Sequence, residues 1–409
     1  MNEVDRHLNA LKSNVRKMKV YWFCHSLIFA YVIERIFGLE RGLSIQDMVK
    51  VEIFYAICTV LLEVPTGVLA DRWNRRNTMI LSSICIFFEF YLLIDAHSIY
   101  GFLASSFAAA LGGALASGTA NALLYDSLIE LKQADHFEKA LGQIRLGENC
   151  AGLAGGLLGA WAASQYGLVS TYYLSLIGIS LAFVISLSFK EAPRHRHLDE
   201  SETTTLTITH WQHMKQALEL TIRLPGILKI IVYSALFAGV LNYVDEYYQI
   251  YAKDIGLEVI WFGVWLGFYM LIHSICASLS YRLKPMSQQP QFWTVLIGFS
   301  GLCLWFAAMA QNLWGLGSML IALGFYWMME PLSLGRIHQS IPSSHRATVE
   351  SWSRLSENIL TILIGLGFAW LADGLGIFTA YHFLAWLLVA SVPLWFFWKQ
   401  IEQTQTSTR

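Results

Sequence analysis

The sequence predicts an all-α membrane protein whose twelve spanning helices form two six-helix bundles. Three observations carry that expectation. Apolar runs recur along the whole of the 409 residues, with 55% hydrophobic residues, 14% charged residues and a mean hydropathy of +0.47. Basic residues crowd into alternate connections between those runs. A polar segment recurs at matching places in the two halves. A soluble chain of this length would need far more polar surface, and the 15 Trp, 24 Phe and 18 Tyr suit a protein anchored at two membrane interfaces.

A spanning helix needs about twenty mostly apolar residues. By that rule the spans lie roughly at 18–38, 46–70, 77–96, 99–124, 141–164, 168–189, 227–250, 258–280, 291–310, 313–335, 348–372 and 375–398. The second, fourth, fifth, tenth and eleventh carry charges and are counted because the loop charges demand it. Numbered from a cytoplasmic start, the inner connections hold Arg16, Lys17, Lys19, Arg72, Arg75, Arg76, Lys132, Lys139, Lys190, Arg194, Arg196, Lys215, Arg223, Arg282, Lys284, Arg336, Arg346 and Lys399. The outer connections hold essentially Arg41 and Lys253. That is the asymmetry of the positive-inside rule, so both termini are expected on the cytoplasmic side of a bacterial inner membrane. Residues 1–17 are polar and basic, with no small-residue cleavage pattern after them, and are not expected to be removed as a signal peptide.

The longest polar stretch runs from Lys190 to about Leu224 and contains RHRHLDESETTT followed by the amphipathic WQHMKQALELTIRL. It divides the chain into a bundle over 1–189, a cytoplasmic linker over 190–224 and a second bundle over 225–409. The halves echo each other: RLGEN (Arg145–Asn149) begins span 5 and RLSEN (Arg354–Asn358) begins span 11. Charges inside a membrane are rare, so the repeat points to duplication, with two bundles related by an axis along the membrane normal. Two ordinary helix starts are the bland alternative.

Span 2 ends in LLEVPTGVLADRWNRRNTM. Gly67, Leu69, Asp71, Arg72, Arg75 and Arg76 resemble the loop 2–3 signature of the major facilitator superfamily, G-x-L-a-D-r-x-g-r-r/k. Asn74 stands where that signature has glycine, and asparagine also tolerates a left-handed turn. The resemblance covers nearly the whole chain and implies a twelve-span transporter. The counterpart Ser278–Arg282 is degenerate and lacks the acid. SGTANALLYDSL (Ser117–Leu128) and RIHQSIPSSHRATVESWSRL (Arg336–Leu355) look like a bacterial efflux-type branch. The glycines of span 5, Gly147, Gly152, Gly155, Gly156 and Gly159, are similar to an antiporter signature without its Gly-Pro pair; their physical meaning is close helix packing.

The charges fall into two groups by depth. One lies at the cytoplasmic ends: Glu63, Asp71, Arg72, Arg75, Arg76, Asp126, Arg145, Glu148, Arg354 and Glu357. The RLxEN segments place Arg and Glu at i and i+3 on one helix face. In the superfamily, spans 2 and 11 pack across the domain interface, as do 5 and 8. That implies Asp71 facing the N-terminal end of span 11, where a helix dipole favours an anion, and Arg72 or Arg75 bridging to Asp126. With Gly67 these residues make a candidate cytoplasmic gate, although Arg76 is read as fixing topology alone.

The second group comes from spans 1, 4, 7 and 10, which line the path in superfamily members. Candidates for contact with substrate are His25, Asn121, Tyr125, Asn242, Tyr243, Glu246, Tyr326 and Trp327. Asn242, Glu246 and Gln249 form one stripe at i, i+4 and i+7. A carboxyl in an apolar cavity has a raised pKa and can exchange a proton near neutrality, so Glu330, Glu246, Glu34 and Asp245 are candidates for proton coupling. Each has a bland reading. Asp245 and Glu246 lie near the outer end of span 7 and can simply be wet. Glu34 with Arg35 can pair structurally with Glu52. His25 can be packing, and Glu330 precedes Pro331, where a helix break frees backbone groups.

No HExxH, nucleophile elbow or phosphate-binding GxxxxGK[ST] motif occurs, so neither an enzyme nor direct use of ATP is expected. Near-neutral charge gives no case for nucleic acid. The six cysteines fall in apolar runs without metal-type clustering, and no cofactor is expected. The aromatic path with acids and few bases favours lipophilic, neutral or cationic solutes. The expectation is proton-coupled efflux by a monomer through alternating access; a proton-coupled nutrient importer and a lipid or lysolipid flippase remain open on the same fold.

Overall fold

The computed structural model describes residues 3–191, 225–341 and 346–407. Most of the predicted linker, 192–224, lies outside the described residues. The first half builds α1 (Glu3–His25), a short α2 (Glu34–Glu40), α3 (Ile45–Arg72), α4 (Arg75–Ile94), α5 (Ile99–Glu130), α6 (Phe137–Tyr166) and α7 (Val169–Leu187). The second builds α8 (Pro225–Asp254), α9 (Ile260–Leu283), α10 (Pro290–Ala310), α11 (Leu313–Ser340), α12 (Arg346–Leu375) and α13 (Ile377–Ser407). With α1 and α2 counted as one broken span, these are the twelve predicted spans. Seven of them, α4, α5, α7, α8, α9, α10 and α12, are long and apolar enough to cross a membrane by composition alone. The others are charged, interrupted or apolar over a shorter stretch.

Contacts group Met1–His197 with Leu257–Gly267 as one unit, and Leu198–Gly256 with Phe268–Arg409 as the other. The division therefore crosses α9 instead of falling wholly within the predicted linker. In the first unit α4 packs on α5 and α7, while α1 packs on α5, α6 and α7. In the second, α10 packs on α11 and α13, while α8 packs on α11, α12 and α13. Adding six to each span number converts the first set of pairings into the second. Along the chain the repeat is regular in one pair of helices. α6 and α12 are 30 residues each, with RLGEN and RLSEN at the same distance from the helix start. Both helices end before a glycine of positive φ, Gly167 at 82° and Gly376 at 90°, and glycine is the residue that takes this conformation without strain. α8 is the central rod of its unit, its apolar window 72% buried, whereas that of α9 is 17% buried.

Span 1 is not the continuous helix expected over 18–38. α1 ends at His25, residues 26–30 are non-helical, and a 3-10 turn over Tyr31–Ile33 leads into α2. Backbone groups released by such a break must find partners inside the protein. Ser175 of α7 supplies one: its hydroxyl accepts from Phe29 N at 2.9 Å and Ala30 N at 3.3 Å while donating to Thr171 O at 2.8 Å. Glycines let the break approach its neighbours. A Cβ on Gly155 would stand 2.5 Å from Ile28 O, and one on Gly178 would stand 2.9 Å from both Cys24 O and Leu27 O. The small residues of span 5 thus cradle an interrupted backbone as well as a helix face.

Candidate functional site

One end of the first unit is held by a charged hub. Arg75 at the start of α4 makes an ion pair with Asp126 of α5 and donates to Ala122 O at 2.9 Å. Both side chains are largely buried, Arg75 at 18% and Asp126 at 9% exposure, a setting where a charge needs its partner. Glu191, just beyond α7, accepts from Arg75 N at 3.0 Å and Arg76 N at 2.9 Å, one carboxylate oxygen each. Arg76 returns a bond from its guanidinium to Leu187 O at 2.7 Å. Asn14 of α1 completes the hub, its amide donating to Lys190 O at 2.7 Å and accepting from Lys190 N at 3.0 Å. Of the alternatives Arg72 and Arg75, it is Arg75 that meets Asp126; the Asp71 and Arg72 side chains lie outside the described residues. Asn74 does not take the left-handed turn allowed for it. Its φ is −107° and ψ 128°, and its side chain caps α4 by accepting from Asn77 N at 3.3 Å. Arg76 is bonded into the hub, more than topology alone requires. Gly67 has open space where a Cβ would stand, and Glu63 is exposed.

Deeper in the same unit, Arg35 of α2 is buried and pairs with Glu52 of α3 at 2.9 Å, with Glu34 second at 3.6 Å. The structural pair expected around Glu34 therefore belongs chiefly to its neighbour. Glu89 of α4 lies close enough to Glu34 for their charges to interact, and Tyr55 and Tyr172 face the same acid. Glu34 and Glu52 share the Arg35 guanidinium, and Glu89 lies beside Glu34. Glu89 was not among the sequence candidates because span 3 was not treated as lining the path, although a glutamate inside IFFEFY is conspicuous. His25, at the end of α1, packs its ring 5.8 Å from Tyr21 and 5.0 Å from Trp22. Asn121 and Tyr125 are exposed on α5, the latter edge-on to Phe137. Arg145 pairs with Glu148 at 3.1 Å but is itself exposed.

The second unit contains a cavity of about 340 Å³ between α8, α11 and α12, lined by Ser234, Tyr326, Glu330, Glu350, Arg354, Glu357 and Asn358 among others. The second RLxEN segment departs here from the first. Arg354 turns back one turn to Glu350, 3.1 Å away, and not forward to Glu357. Glu330 and Glu357 thus face the cavity with neither in an ion pair among the described residues, and each feels the charge of the other. The sequence assigned Glu330 and Tyr326 to the path but Arg354 and Glu357 to a gate; the structure brings all four to one cavity. Glu350 was missed.

Other candidates in this unit sit elsewhere. Tyr243, expected to meet substrate, is 1% exposed and stacks on Phe368 at 5.3 Å and near Tyr247 at 5.8 Å, so it builds the core. Asn242 is exposed, Glu246 half-buried and Gln249 buried, so the predicted stripe runs from the surface into the unit. Asp245 is half-buried and accepts from Tyr269 OH at 2.8 Å, which is not the wet carboxylate of the bland reading. Trp327 is packed between Tyr269 at 4.6 Å and His273 at 4.8 Å. Tyr269 and His273, four residues apart on α9, were missed because span 8 was not read for the path.

Comparison with known proteins is informative at this point. A sequence profile described as Major Facilitator Superfamily matches residues 20–365. No curated protein matches. Among solved structures, the chain is similar to the nucleoside transporter NupG, with 13% identity, a TM-score of 0.71 and coverage of 95% of this chain and 98% of that one. It is also similar to a bacterial homologue of the human lysosomal transporter Spinster in an inward-facing, unoccupied conformation, with 15% identity, a TM-score of 0.67 and coverage of 97% and 96%. A D-xylose-proton symporter gives 15% identity, a TM-score of 0.66 and coverage of 95% and 97%. At these identities the likeness establishes the fold and leaves each protein's substrate its own.

Proposed function

Because the chain belongs to the Major Facilitator Superfamily and is a multi-pass membrane transporter, we propose that it exchanges protons for a lipophilic or cationic compound by alternating access, in the direction of efflux. The observation that carries this reading is the cavity of the second unit, where Glu330 and Glu357 share a polar chamber and Arg354, the one lining base among the described residues, is engaged by Glu350. The like charges of Glu330 and Glu357 repel across the chamber. The missing positive charge is supplied by a proton or by a cation, and the two compete for one place. That competition is the physical basis of exchange: loading the cation releases the proton, and reprotonation releases the cation. Tyr326 offers an aromatic face beside the acids, which suits an organic cation. The hub of Arg75, Asp126 and Glu191 is assigned to gating, holding the ends of α4, α5 and α7 as one block. The confinement of basic residues to alternate connections supports a bacterial inner-membrane protein with both termini in the cytoplasm.

The test is proton-coupled flux in proteoliposomes. With an imposed pH gradient, an aromatic quaternary ammonium probe should move uphill and discharge the gradient. Glu330→Gln and Glu357→Gln should each abolish uphill movement. Unchanged uphill transport in Glu330→Gln removes that residue from the role, and cation movement that never touches the gradient overturns proton exchange itself.

A further inference from the structure

The second unit has a second pocket, mostly apolar in its accessible lining but with two cations on it. The connection between α9 and α10 folds back as a 3-10 turn over Met286–Gln288 and lies against α11. The pocket between them has a volume of about 240 Å³. Its polar lining residues are Lys284, Arg336, Tyr281, Gln288 and Gln339, with Ser280 and Ser287, whose hydroxyls already donate to Ala277 O and Lys284 O; among the described residues no carboxylate lines it. Pro331, Leu332 and Gly335 form its apolar wall.

The two cations are placed differently. Arg336 is half-buried and fixed: its guanidinium donates to Ser287 O at 2.9 Å and stacks 5.9 Å from the Trp293 ring, whose Nε1 donates to the same carbonyl at 2.8 Å. Lys284 is exposed and makes no ion pair among the described residues. Arg282 lies one turn-edge away, stacked on Tyr281. Beside the pocket, Tyr281 and Met286 expose 68% and 53% of their surface. Positive charge in a walled recess, hydroxyl and amide donors, and large apolar side chains at the rim together describe a place for a phosphate ester attached to something oily.

We propose that this pocket binds a phosphate ester, the chemistry of an acidic phospholipid head group, with Lys284 and Arg336 as the charge-recognising pair. Basic pockets between spanning helices hold anionic head groups by the same means. The anion sits between a fixed fork of donors and a mobile point charge, a division that suits Arg and Lys respectively. The acyl chains lie along Tyr281 and Met286.

Native mass spectrometry of the purified full chain in detergent, titrated with phosphatidylglycerol, phosphatidylcholine or glycerol 1-phosphate, tests this. Wild-type protein should take up one phosphatidylglycerol saturably and in preference to phosphatidylcholine. One surface lysine is worth about a fivefold change in affinity for acidic lipid, so Lys284→Ala should bind about fivefold more weakly and Lys284→Glu more weakly still. Lys253→Ala, an exposed lysine at the end of α8, should behave as wild type. Competition by glycerol 1-phosphate at concentrations comparable to the lipid would support the phosphate site and assign it to a free ester. Undiminished phosphatidylglycerol uptake by Lys284→Glu, with the protein still folded by its elution profile, would overturn the proposal.

Discussion

Replacing Gly159 with alanine puts a methyl group into the backbone of the broken first span. The new Cβ would stand 2.9 Å from Phe29 C and 3.0 Å from Phe29 Cα, and closer still to Phe29 O, where ordinary contact begins near 3.4 Å. These are main-chain atoms of a segment whose N–H groups are already held by Ser175, so no side chain can swing aside. Overpacking of this kind costs about 1–3 kcal/mol, with a backbone obstacle placing it at the upper end. Helix propensity returns about 1 kcal/mol for glycine to alanine, leaving a net loss of about 2 kcal/mol. Two neighbours on the same helix serve as controls. Gly147 has nothing within 4 Å of its Cβ position, so Gly147→Ala should gain the propensity term alone. At Gly156 the nearest atom is the flexible tip of Leu266, so the same change should be close to neutral. Chemical or thermal unfolding in detergent, followed by fluorescence-detected size exclusion, should rank the variants Gly147→Ala, Gly156→Ala, Gly159→Ala from most to least stable. A Gly159→Ala protein as stable as Gly147→Ala would refute the cradle and the reasoning that the break depends on it.

The hub gives a second test. Removing one partner of a largely buried ion pair costs about 3–5 kcal/mol, so Arg75→Gln and Asp126→Asn should each lower the unfolding midpoint sharply, and the double variant should lose less than the sum by 0.5–3 kcal/mol, as roughly expected of coupled neighbours. Glu191→Ala should cost about 1–2 kcal/mol through loss of a helix cap, with Glu191→Gln between it and wild type. Ser175→Ala leaves two buried N–H groups without their acceptor and should cost about 1–3 kcal/mol each, measured by the same unfolding assay. In the first unit, Glu89→Gln lowers the surplus of acid around Arg35; proton-driven flux altered in its pH profile while probe binding is retained would place Glu89 in coupling, and an unchanged profile would make it structural.

What the sequence made legible followed from solvent. The number of long helices comes from the length of apolar runs, because the bilayer imposes that length. The duplication was legible in RLGEN and RLSEN and is repeated in helix lengths, glycine ends and pairings. The break in span 1 was hidden because Ser26–Ala30 is as apolar as the helix around it. Its signal lay elsewhere, in the glycines at 155, 159 and 178, whose need for smallness makes sense only once a carbonyl is known to face them. Contacts were least legible. Arg354 pairs one turn back with Glu350, not forward as the repeat suggests, whereas the matching position of α6, four residues before Arg145, is Leu141 and offers no acid. Tyr243 looked like a lining residue by its place on α8, yet α8 is the central rod of its unit, and most of its faces are core.

Glu191 has a consequence beyond stability. Among the described residues its bonds, like those of Lys190, return to helices made earlier in the chain, α4 and α1. These bonds should hold if the polypeptide is severed shortly after Glu191. Two separately encoded fragments, the first ending beyond Glu191, should reassemble when made together.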